Sequence, residues 1–248
     1  MKKPAVVKPD DEVTIVGHVF GTRVVVKGNT WMPLTELAVW AIMAWVAGRG
    51  HSDRSWWKRL GVGGLTMTTI LGSEWCHNLA HAAAAWLVGK PMDALRVTWG
   101  MPLVVYHDIQ DETVTPSQHI LRALGGPVFN ALLLPLALLF RRFTREESVP
   151  RDVANAAVGM NTFLCTASLL PIPGIDGGPI LKWSLVERGH TPEAADGMVK
   201  GVDRVAGVGL GIAAGMALGK RRWLLGAILA TFAALTLAFG FGLLKEQE

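Results

Sequence analysis

Long apolar blocks constrain this chain more than any other feature, because a segment crossing a bilayer must satisfy its own backbone polar groups. The hydrocarbon core needs about 20 apolar residues for each helical span. Residues 60–88, 120–140, 153–176, 201–219 and 223–244 each reach or approach that length. A shorter block, LTELAVWAIMAWVAG, occupies 34–48. The expected fold is therefore an all-α polytopic membrane protein with about six transmembrane helices. The hydrophobic share of 50% would not decide this alone, since it is only slightly high for a soluble protein. Its concentration in blocks does.

The charged residues agree with a membrane. Basic clusters such as RSWWKR, RRFTR and KRRW stand at block ends, and Trp31, Trp56, Trp57, Trp99, Trp183 and Trp223 flank the blocks. Lys, Arg and Trp in such places anchor helices at lipid headgroups. The net charge of +4 thus points to a lipid bilayer as partner and not to nucleic acid, for which no motif is present. Cys76 and Cys165 form neither a disulfide framework nor a thiolate metal cluster. The N-terminal MKKPAVVKPDDEV has no apolar core behind its lysines, so a membrane helix is expected to direct insertion.

Small β elements interrupt the helices. VTIVGHVFGTRVVVK (13–27) is rich in β-branched residues and is divided by Phe-Gly-Thr, which predicts a hairpin. Residues 1–33 are read as an N-terminal hairpin segment and 34–248 as the transmembrane domain. DALRVTWGMPLVVY predicts one or two further strands, followed by the polar loop HDIQDETVTPSQ. The block ending in LLPIPGIDGG should turn extended just before Asp176, because residues preceding proline avoid the helical region. Residues 179–189 are expected to resume as a short helix, and KRR should form a tight turn between the last two helices.

An acidic side chain in mid-membrane costs at least ~2.5 kcal/mol, so such residues are functional candidates by default. The middle parts of the blocks hold few ionisable groups: Glu74, His77 and His81, with Asp176 at the end of the fourth helix, the block 153–176. His77 and His81 are four apart. They differ by about 40° around a helix and about 6 Å along it, so both imidazoles can reach one metal ion. A catalytic zinc takes three protein ligands and keeps an open place for water. Asp176 can supply the third ligand, since its helix and that of the histidines run in the same direction and bring these groups to compatible depths. Paired histidines alone would more often hydrogen-bond to neighbours. A di-iron desaturase needs several histidine boxes, and His18, His51, His107, His119 and His190 form no second one.

HNLAH, GGPVFN and LLPIPGIDGGPIL, in this order on three separate blocks, resemble the site-2 protease family of intramembrane zinc metalloproteases. That family carries HExxH, a Gly-Pro-x-x-Asn segment and an NxxPxPxLDG segment on a core of three helices. The likeness covers about residues 60–188. It implies one Zn²⁺ per chain held by His77, His81 and Asp176. It places Gly126, Pro127 and Asn130 beside a substrate cleft and makes VTWGMPLVVY a membrane-associated strand element that pairs with an unwound membrane-spanning substrate. Three positions depart from the pattern: Ile175 replaces Leu, Ser168 replaces the Asn before the prolines, and Asn78 replaces the glutamate of HExxH.

Asn78 bears on the chemistry directly. Hydrolysis needs a base that takes a proton from water and returns it to the leaving amine. An asparagine carbonyl can hold water but cannot carry that proton. Losing the base costs ~10²–10⁴ in rate, or roughly 3–5 kcal/mol. Glu74 is an imperfect substitute on backbone geometry, about 7 Å along the axis from the midpoint of the histidine pair against about 2 Å for residue 78. Three readings stay open: a zinc-binding pseudoprotease that captures client helices, an active protease whose Asn78 is engineered or bypassed by another base, and a structural or transport-like membrane protein.

Overall fold

The computed structural model describes residues 11–49, 51, 53–108, 111, 113–172 and 175–244. Pro173 of the proline-rich turn, residues 1–10 and part of the polar loop therefore lie outside the described residues. The chain forms two compact units, 1–111 with 124–167 and 112–123 with 168–248.

In the first unit, β1 (Thr14–Val19) and β2 (Thr22–Val26) form the expected hairpin. Its turn places Phe20 and Gly21 at φ +47° and +71°, the left-handed pair that a two-residue hairpin turn requires. A second hairpin, β3 (Ala94–Thr98) and β4 (Met101–Val105), turns in the same way through Trp99 and Gly100. Sequence alone left one or two strands open there. The two hairpins share one sheet of order β1-β2-β3-β4, because β2 pairs in parallel with β3.

Two long helices carry the polar groups of this unit. α1 (Leu34–Gly48) packs against α2 (Trp56–Leu87), which starts at Ser55, whose hydroxyl accepts from the Lys58 backbone N–H. The helices approach closely at Gly63, where an added Cβ would lie 2.6 Å from the Ala44 nitrogen. One face of the sheet packs on α2, burying Met92 and Leu95 with Ala82 and with Trp75 and Leu79 at its margin. The Trp75 indole N–H donates to the Gly100 carbonyl at 3.0 Å and ties helix to turn. α4 (Val149–Thr166) also packs on α2. The Arg54 side chain donates to the Ala47 carbonyl at 3.0 Å and pairs with Asp152 at 2.7 Å, fixing the end of α1 and the start of α4.

The other face of the sheet holds Val25, Ala94 and Val105, and beside them lies Arg96, fully buried. Its three guanidinium nitrogens have no hydrogen-bond partner among the described residues. Burial pulls its pKa below the usual arginine value, while the charge of Asp11 opposes the shift. A buried charge without such bonds is a net cost. Arg96→Met should therefore raise stability by on the order of 1 kcal/mol, read from thermal unfolding in detergent. A lower midpoint would mean that the fold uses the charge.

α3 (Pro116–Phe143) contributes its first turns to the second unit and the rest to the first. The second unit adds α5 (Gly177–Glu187), α6 (Pro192–Gly219) and α7 (Trp223–Gly240). α6 starts at Thr191, which caps the Ala194 N–H. α6 and α7 join at the KRR turn, where Arg221 has φ +56°. Gly207 and Gly240 let them approach, since a Cβ there would lie 2.6 Å from Leu237 and 2.8 Å from Arg204. Lys182 pairs with Asp196 at 2.9 Å, and His119 stacks on Trp183 at 3.9 Å between ring centres.

α3, α6 and α7 are each long and apolar enough to cross a membrane. α2 is longer still, 32 residues, but Ser73, Glu74, His77, Asn78 and His81 dilute it. The chain is a multi-pass membrane protein with a small four-stranded sheet. One boundary differs from expectation. α4 stops at Thr166, and Asp176 is the residue preceding α5, not the end of the fourth helix. The last helical bond of α4 runs from the Ala167 N–H to the Phe163 carbonyl, and Pro171 disfavours helical backbone at Leu170.

Candidate metal centre

Ser73, His77 and His81 recur every four residues and so form one stripe along α2. Both histidines are buried. Their Nε2 atoms face each other at 3.1 Å, and the rings stand nearly perpendicular, at 83°. Two buried ring nitrogens directed at one point suit a shared metal ion.

α3 leaves room at that point because of glycine. A Cβ on Gly126 would lie 2.4 Å from His81 Nε2 and 2.6 Å from His77 Nε2, in the space between the two donors. A Cβ on Gly125 would meet the Ala80 carbonyl at 2.7 Å, so both glycines are needed for α3 to approach α2. The Gly126 backbone N–H also points at His81 Nδ1, at 3.4 Å. Pro127 follows, buried inside the helix, where it removes one backbone donor.

Asn130 is fully buried one turn further on. Its Oδ1 lies 2.6 Å from His77 Nδ1 and its Nδ2 donates to Asn161 Oδ1 at 2.8 Å. Sequence reasoning placed Asn130 beside a substrate cleft; here its amide is engaged by a histidine and by α4. Asn161 and Ser73 were not singled out from sequence. Their four-residue spacing from helical neighbours was legible, but nothing in one sequence brings α3 and α4 to that stripe.

Asn78 is buried beside the histidines. Its Nδ2 donates to the Glu74 carbonyl at 3.0 Å and to Glu74 Oε1 at 3.2 Å. The carbonyl can only accept, so the NH₂ group is fixed on Glu74 and Oδ1 is directed elsewhere. The Asn78 side chain thus reaches back one turn to the Glu74 carbonyl and carboxylate.

In the second unit, the backbone closes tightly before Asp176. The Gly177 N–H donates to the Ser168 carbonyl at 2.8 Å, and a Cβ on Gly177 would lie 2.2 Å from the Leu170 carbonyl oxygen. That close approach requires glycine after the aspartate and holds the half-buried Asp176 at the head of α5. Within the first unit, two neutral ring nitrogens facing each other beside a glycine in place of a side chain suit part of a zinc site.

The helical membrane fold with its small sheet is of the site-2 protease type. The chain is similar to the solved structure of the site-2 protease from Methanocaldococcus jannaschii. The TM-score is 0.54 at 11% identity, over 96% of this chain and 97% of that one. No family model and no curated protein matches the chain.

Proposed function

We propose that this protein is a site-2-protease-type zinc scaffold that binds a membrane-spanning client helix and, with Asn78 in place of the general base, cuts it slowly or not at all. The observation that carries the reading is the facing Nε2 pair of His77 and His81 with Gly126 set against it. Asp176 is the third ligand in this reading. When bound, zinc supplies a Lewis acid that acidifies water and polarises a carbonyl. The chain's own residues bury the ligands and exclude bulk water, while Asn78 offers an acceptor where the family has a proton carrier. β4, at the end of the strand order, is the strand on which an unwound segment of the client would add.

Purified protein should contain about one zinc per chain, the content of a catalytic site of this kind, and His77→Ala should lose it. Absence of zinc from the parent, or zinc retained by His77→Ala, would instead favour a structural or transport-like protein. The contact between Glu74 and Asn78 favours one second reading, an active protease using Glu74 as base. In that case Glu74→Gln abolishes a cleavage that the unsubstituted chain already performs at full rate.

A further inference from the structure

Which nitrogen of His77 faces the metal is not free to vary, because a line of buried hydrogen bonds runs from two backbone carbonyls to the ring. The Ser73 hydroxyl donates to the Thr69 carbonyl at 3.0 Å, so its oxygen can only accept from Asn161 Nδ2, 3.3 Å away. Asn161 Nδ2 also donates to the Ala157 carbonyl at 2.8 Å. A carbonyl offers no proton, so the Asn161 amide cannot be turned round. Its Oδ1 therefore faces Asn130 and requires the NH₂ end of that amide, at 2.8 Å. This leaves Asn130 Oδ1 against His77 Nδ1 at 2.6 Å. An amide oxygen accepts only, so Nδ1 carries the proton and Nε2 presents its lone pair.

We infer that Asn161 and Ser73 are positioning residues that act through Asn130 to hold His77 in the one neutral tautomer able to bind zinc through Nε2. The inference rests on the proposed reading of His77 as a metal ligand. All four side chains are buried: Asn130 is 0% exposed, Asn161 3%, His77 6% and Ser73 7%. In so dry a place a reversed amide would face oxygen to oxygen and nitrogen to nitrogen, with no water to bridge the error. The line begins and ends on α2, passing through α3 and α4, so it also holds three helices at the metal centre. Metal-binding histidines commonly donate their second ring N–H to an acceptor, and removing that acceptor costs roughly 10–100-fold in metal affinity. Here the acceptor is an amide, which has a wrong way round, and a second amide exists to prevent it.

The test uses full-length protein in detergent, with zinc affinity and imidazole ¹⁵N shifts as readouts. Asn130→Leu should weaken zinc binding by roughly 10–100-fold. Asn161→Leu frees the Asn130 amide to turn, with an expected loss of roughly tenfold and a mixed tautomer at His77. Asn161→Asp is the discriminating variant. It loses the bond to Ala157 but still accepts from Asn130, so it should bind zinc within a few-fold of the parent. A merely structural role predicts the opposite order, since Asp is the worse buried replacement. Asn161→Asp no better than Asn161→Leu, or a lone pair at His77 Nδ1 in the parent, overturns the inference. The ¹⁵N shifts of zinc-stripped parent protein read the tautomer even if the parent takes up no zinc, so failure of the proposed function is distinguishable.

Discussion

Asn78→Glu is expected to raise cleavage of a test membrane helix by roughly 10²–10⁴ over the unsubstituted chain, the usual worth of a positioned acid–base group. Residue 78 is buried on α2 between the two histidines in sequence, so the substitution restores a carboxylate without moving the helix. The structure adds a complication. Glu74 Oε1 already lies 3.2 Å from the residue 78 amide, so a new carboxylate meets a like charge instead of a donor. Two adjacent carboxylates in a buried site oppose each other's ionisation. Asn78→Glu with Glu74→Gln, in which the glutamine restores a donor, should therefore cleave at least as fast as Asn78→Glu alone. Gel-based cleavage in detergent or liposomes measures both. No gain from either variant, in protein that still carries zinc, would sink the view that only the base is missing.

Gly126→Ala should abolish or severely weaken zinc binding, by roughly 100-fold or more, the upper end of what disturbing a metal site's support costs. The added methyl would sit 2.4 Å from His81 Nε2 and 2.6 Å from His77 Nε2, so both rings would have to move. Helix stability does not confound the result. Replacing glycine by alanine inside a helix favours the helix by about 0.5–1 kcal/mol. The expected outcome is zinc lost in elemental analysis with helical circular dichroism retained, while the α2–α3 approach that Gly126 permits is loosened. Zinc bound at parental affinity would place the metal away from the two Nε2 atoms.

The membrane class was legible in the sequence because hydrocarbon permits few solutions, and block length reports the solution directly. The first hairpin was legible because Phe-Gly-Thr divides two β-branched runs, whereas the turn at Trp99 and Gly100 was seen only in the structure. The histidine pair was legible because four residues is a fixed angle and rise on a helix. The extended turn before Asp176 was legible, but the end of the helix was placed too late: apolar character continues to Leu170, whereas the last helical donor of α4 is the Ala167 N–H. Hydropathy registers side chains and not backbone donors.

By itself the sequence determined a multi-pass helical protein, a histidine pair at metal-ligand spacing and the absence of a glutamate beside the first histidine. These follow from local quantities: block length, helical spacing and residue chemistry. Only the tertiary structure decided that β2 joins β3, that Gly126 occupies the space opposite the Nε2 pair, and that Asn161 and Ser73 reach His77 through Asn130. Those contacts link residues as much as 88 positions apart, between Ser73 and Asn161. A hydrogen bond requires the approach of two atoms to about 3 Å, and only the packing of helices on one another sets such a distance.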